Sequence, residues 1–82
     1  MPQPRKPPIS PAAQMFGARV LARREDRGWS QERLAAEAGL HWTMIGQVER
    51  GRRNLTFHSI LKLANALKCD AAELMAGLTY EP

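Results

Sequence analysis

The chain has a single cysteine, Cys69, among 82 residues, so it closes no internal disulfide and builds no metal site from several thiolates. Its two histidines, His41 and His58, are scattered, and no nucleophile, base and orienting acid form a recognisable set. Neither metal, cofactor nor catalysis is expected. No apolar run approaches the roughly 20 residues that span a bilayer, and the N-terminus lacks the apolar core of a secretory signal; a cytoplasmic protein without membrane attachment is expected. Nothing alternates with period two over a useful length, so no strand is expected, and no segment repeats. Proline is absent between Pro11 and Pro82. The other prolines crowd into MPQPRKPPISP, where they block helix formation and offer little to bury, so residues 1–10 read as a flexible arm and residues 11–82 as the folded domain.

What is present is helical. The chain is 44% apolar, enough for one globular domain and too short for a second beside it. Twelve Lys and Arg against eight Asp and Glu give a pI of about 10.0, which makes a polyanionic partner plausible without establishing one. Ser10 as cap and Pro11 in the first turn start a helix running to about Arg27, with Ala13, Phe16, Gly17, Val20 and Arg24 on one stripe. Gly28 ends it, and Trp29 is expected to plug the turn before Ser30 caps a second helix over Gln31–Ala38. A third runs from Trp42 to about Arg50 behind His41, and Gly51 closes it. Thr56 caps a fourth helix whose Ile60, Leu61, Ala64 and Leu67 form an apolar face. Asp70 and Glu73 form an acidic capping box for a short fifth helix ending near Met75.

The segment SQERLAAEAGLHWTMIGQVERG, Ser30 to Gly51, is the most informative part. Two short helical patterns are joined by a link around Gly39, where the chain turns too sharply for a residue with a Cβ atom; this is the signature of a helix-turn-helix that reads DNA. Leu34, Ala35 and Ala38 mark the inner side of the first helix, and Ile45 and Val48 that of the second. On the opposite side of the second helix lie Thr43, Gln47 and Arg50, with Gly46 beside them. These are base-reading candidates: Gln47 offers the donor and acceptor that adenine's edge requires, Thr43 a hydroxyl and a methyl, and Gly46 close backbone approach. Trp42 and Met44 flank them, either at the groove rim or folded back as core. Gln31, at a helix terminus with free N–H groups, and His41, as a cap or donor, suit phosphate.

SQERLAAEAGL followed by VERGRRN resembles the helix-turn-helix family of the phage repressors and Cro proteins (XRE-type), from about Phe16 to Met75. The run GLHWTMIGQVERGRRNLT is most similar to small stand-alone regulators such as the controller proteins of restriction-modification systems. The resemblance implies an all-α, five-helix, lambda-repressor-like DNA-binding domain. It implies phosphate contacts from Gln31, Arg52, Arg53 and Asn54, and a largely buried bridge between Arg24 and Glu49, each of which interrupts an apolar stripe. The implied function is a bacterial or phage-type transcriptional regulator that binds double-stranded DNA as a homodimer on a palindromic operator. Repression by covering a promoter and activation through RNA polymerase both remain open. The tail LMAGLTYEP has more apolar surface than so short a helix buries alone, which makes Leu74, Met75, Leu78 and Tyr80 the expected dimer interface. The alternative is an antitoxin or adaptor that binds a protein partner and regulates its own promoter.

Overall fold

Each helix begins on a side-chain cap. In the computed structural model, which describes residues 6–81, the helices are α1 (Pro11–Asp26), α2 (Gln31–Ala38), α3 (Trp42–Glu49), α4 (Phe57–Ala66) and α5 (Ala71–Met75). No strand occurs among the described residues. Ser10, Ser30, His41, Thr56 and Asp70 each accept a backbone N–H from the first turn that follows, an arrangement that contributes about 1 kcal/mol per helix for a good cap. Asp70 takes its bond from Ala72 at 3.0 Å, but Glu73 does not complete the expected capping box. Its carboxylate pairs instead with Arg23 of α1 at 3.2 Å, a tertiary contact that wins over the local one.

Left-handed glycines end the helices where the sequence places them: Gly28, Gly39 and Gly51 all have φ between 67° and 71°. Gly39 is the turn between α2 and α3. At Gly51 the chain closes α3 with two bonds, Gly51 N–H to the Val48 carbonyl at 3.0 Å and Arg52 N–H to the Gln47 carbonyl at 2.8 Å, which satisfy carbonyls the helix leaves free.

The core draws on all five helices: Phe16 and Val20, Leu34, Ala35 and Ala38, Ile45 and Val48, Leu63, Ala64 and Ala66 with Leu67, and Leu74. The inward stripe of α4 differs from expectation. Leu63 is fully buried while Leu61 is 41% exposed, because the i, i+3, i+4, i+7 stripe runs through Ile60, Leu63, Ala64 and Leu67. A second correction concerns Leu74, expected at a dimer interface. It has no exposed surface and fills the core of its own domain, with its carbonyl accepting a bond from Arg19 of α1 at 3.0 Å.

Gly17 fixes how closely α1 crosses α3. A Cβ there would stand 2.1 Å from the Val48 carbonyl oxygen and 2.9 Å from that of Glu49, so only glycine lets the two backbones meet, and the helix propensity lost at mid-helix is offset by this approach. The segment before α1 is held to the same region. Ile9 N–H donates to the Gly51 carbonyl at 2.8 Å, and the Arg52 guanidinium donates to the Pro7 carbonyl. Residues 1–5 of the expected arm lie outside the described residues.

Trp29 is half-buried in the α1–α2 turn and packs against the core. The Arg27 and Arg33 guanidiniums each lie 5.1 Å from the centre of its ring.

Candidate nucleic-acid interface

Glu49, the last residue of α3, gathers three donors. Arg24 donates from Nε to Oε2 at 2.6 Å and from Nη2 to Oε1 at 3.0 Å, and Gln31 donates from Nε2 to Oε1 at 2.9 Å. The third edge of the Arg24 guanidinium donates to the Trp29 carbonyl at 2.7 Å. One ion pair therefore ties α1, the α1–α2 turn, the start of α2 and the end of α3 together. With side chains 12% and 4% exposed, Arg24 and Glu49 are shielded from water. The hydrogen bond to Glu49 raises the Arg24 pKa further above its ordinary value, against the opposing effect of desolvation. A bidentate pair of this kind fixes geometry more than it adds net stability.

The Gln31 side chain, expected at a phosphate, thus has its amide donor on Glu49, and its Oε1 lies over Gly46. Gly46 was expected to give the helix backbone close approach to DNA. Instead it is buried, and a Cβ there would meet Arg50 Nη1 at 3.3 Å and Gln31 Oε1 at 3.5 Å. The missing side chain makes room for the Gln31 amide and the Arg50 guanidinium, which cross over it. Met44 also turns inward, half-buried against the core, because its position falls on the edge of the Ile45 and Val48 stripe.

The other side of α3 is open. Trp42 is 53% exposed and stacks on the His41 ring with centres 6.3 Å apart rather than folding onto α2. His41 Nδ1 caps α3 by accepting from the Thr43 N–H at 3.3 Å and lies 2.8 Å from the Thr43 hydroxyl. Thr43 and Arg50 are exposed and Gln47 is half-buried. Arg53, exposed in the loop beyond Gly51, donates from Nη1 to Gln47 Oε1 at 2.8 Å; Asn54 beside it is exposed as well. An open cleft of about 1170 Å³ runs along the surface beside the α1–α3 contact, lined by Lys6, Gln31, Gln47, Arg50 and Arg52 among others.

Gly17 was placed on the right stripe, but the close crossing of α1 and α3 that it permits, the Gln31 bond and the Arg53 bond escaped the sequence reading. A glycine in mid-helix was a usable signal for the first; the other two join residues with no shared periodicity.

A glycine-turned pair of short helices, the second braced from behind and polar in front, defines a helix-turn-helix DNA-binding domain. The helix-turn-helix family model matches residues 20–74, and the chain belongs to that family. It is similar to the control protein C.SmaI of Serratia marcescens, 39% identical over 70 residues that cover 83% of each chain. Among solved structures it resembles the restriction-modification controller protein C.AhdI from Aeromonas hydrophila, with a TM-score of 0.74, 45% identity, and coverage of 76% of this chain and 94% of that one. It also resembles the P22 c2 repressor, solved with a synthetic operator, with a TM-score of 0.73, 31% identity, and coverage of 78% of this chain and 97% of the repressor. The protein is a transcriptional regulator with a helix-turn-helix DNA-binding domain, not an enzyme. No helix among the described residues is long and apolar enough to cross a membrane.

Proposed function

We propose that the protein binds a palindromic operator as a homodimer, with α3 in the major groove. Thr43 and Gln47 meet base edges, Trp42 and Arg50 flank them, Arg53 stands against the Gln47 side chain, and Arg52 and Asn54 reach phosphate together with backbone N–H groups at the start of α2. The observation that carries this reading is the division of α3 itself. Its inner side is locked to α1 and α2 through Glu49, while its outer side presents polar groups that no core contact requires.

The C-terminal segment is the proposed dimerisation region. Met75 and Tyr80 are 42% and 88% exposed and border an apolar groove of about 340 Å³ that also includes Ile9, Phe16, Ile60 and Leu78. One head this small spans few base pairs, whereas two related by a two-fold axis read half-sites about 34–36 Å apart, one turn of the duplex. Gene control then follows from occupancy, by covering a promoter or by contact with RNA polymerase bound alongside.

Selection of bound duplexes from a random pool should return two inverted half-sites at that spacing. Sedimentation of the wild type and of a variant with Met75→Asp and Tyr80→Asp, both at exposed positions, tests the pairing. A wild type that is monomeric at high micromolar concentration, or a variant that dimerises equally well, would remove the homodimer from the proposal.

A further inference from the structure

A guanidinium has five N–H donors and no acceptor, so the atom of Gln47 that faces Arg53 at 2.8 Å is the amide oxygen. That contact settles which way the amide lies. Arg53 is itself well placed to hold it, because the loop is fastened to the end of α3 by the Gly51 and Arg52 N–H bonds and to the segment before α1 by Ile9. Gln47 is gripped twice: its backbone carbonyl receives Arg52 N–H and its side-chain carbonyl receives Arg53. A free glutamine must order three torsions when it meets a base, whereas one held by its oxygen has less freedom left to lose.

The held amide also has a different chemical character. A glutamine alone, with one donor and one acceptor, suits adenine's edge. With Arg53 on one lone pair of the oxygen, the acceptor is partly engaged and the remaining guanidinium N–H groups stand beside the amide NH2, so the edge the pair offers is weighted toward donors. Guanine presents two acceptors, O6 and N7, in the major groove; adenine presents one acceptor and an amino group that would meet donors of its own kind.

We propose that Arg53 is a positioning residue for Gln47, and that the two act as one unit selecting guanine over adenine at a single base pair of each half-site. The inference rests on the base-reading function proposed above and adds to it a residue beyond the recognition helix.

The experiment measures the affinity of the full chain for its selected duplex, for duplexes changed at one base pair at a time, and for random DNA, at one fixed salt concentration. Wild type, Gln47→Ala, Arg53→Ala, Arg53→Lys and the double Gln47→Ala, Arg53→Ala variant are compared, with thermal melts confirming that each is folded. The wild type should prefer guanine at one position by roughly 5- to 150-fold. Gln47→Ala and Arg53→Ala should each flatten the preference at that same position, the double variant should flatten it no further, and Arg53→Lys, which keeps one cationic donor, should restore part of it. A loss in Arg53→Ala that is equal on every duplex would make Arg53 a phosphate contact and overturn the inference. Flattening at a different base pair, or adenine at the shared one, would overturn it as well. A wild type that binds all duplexes alike would instead defeat the base-reading function itself, and the inference with it.

Discussion

The two sides of α3 are built on different terms. Toward the core, Ile45 and Val48 are at most 2% exposed, and Glu49 has its oxygens filled by Arg24 and Gln31. Toward solvent, Trp42, Thr43 and Arg50 stand exposed, and the contacts that exist, His41 with Thr43 and Arg53 with Gln47, join neighbours along the surface. The inner side explains itself within the chain, since every group there has a partner. The outer side has no such internal partners, and the proposed function gives it DNA. On that proposal stability and recognition share α3 and its C-cap Arg50 with little overlap, and substitutions should sort by side.

The sharpest separation should come from the ion pair. Arg24→Ala or Glu49→Ala alone strands a shielded charge and is expected to lower stability by about 3–5 kcal/mol, whereas an apolar replacement of both should recover much of it. Chemical denaturation midpoints of the two single variants and the double read this directly; midpoints equal to wild type in both singles would collapse the distinction. Gly17→Ala tests the same side through shape alone. Forcing a methyl into the Val48 and Glu49 carbonyls should cost about 3 kcal/mol, the upper part of the overpacking range, visible as a lowered melting temperature in a helical chain.

On the outer side the signs reverse. Gln47→Ala should leave the melt near that of the wild type while costing about 1–3 kcal/mol on the selected duplex and much less on random DNA, measured by titration at constant salt. Equal losses on both duplexes would take Gln47 out of base reading. The smallest effect should be that of Arg52→Ala. Removing one phosphate contact reduces the slope of log affinity against log salt by about 1, uniformly across sequences, and an unchanged slope would leave Arg52 serving only the Pro7 carbonyl.

Much of this was legible locally. Ser10, Ser30, His41, Thr56 and Asp70 cap through bonds to residues two or three positions away, and the left-handed turns require glycine at Gly28, Gly39 and Gly51, so each is readable from a short window. The inward Ile45 and Val48 and the outward Thr43 and Arg50 followed from the periodicity of α3 in the same way. What escaped was set by distance in the chain. Leu74 looked surplus because a five-residue helix is too short to show which stripe it buries. Gln31 pairs 18 residues away, where the free N–H groups of a helix start suggested only an anion. Gly46 looked like a gap facing DNA because the sequence does not show that Gln31 and Arg50 cross over it.

The two tryptophans give the molecule two optical signals of its own. Trp29, half-buried and flanked by the Arg27 and Arg33 guanidiniums, emits from a site that changes when the α1–α2 turn unfolds. Trp42, half-open to solvent beside His41, emits from the side of α3 that faces outward. A Trp29→Phe variant leaves an intrinsic fluorophore at the reading helix, and a Trp42→Phe variant leaves one in the folded scaffold. Titration with a duplex should quench or shift the first and leave the second nearly constant, while denaturant should move both, so occupancy and folding are followed in the same cuvette without a dye.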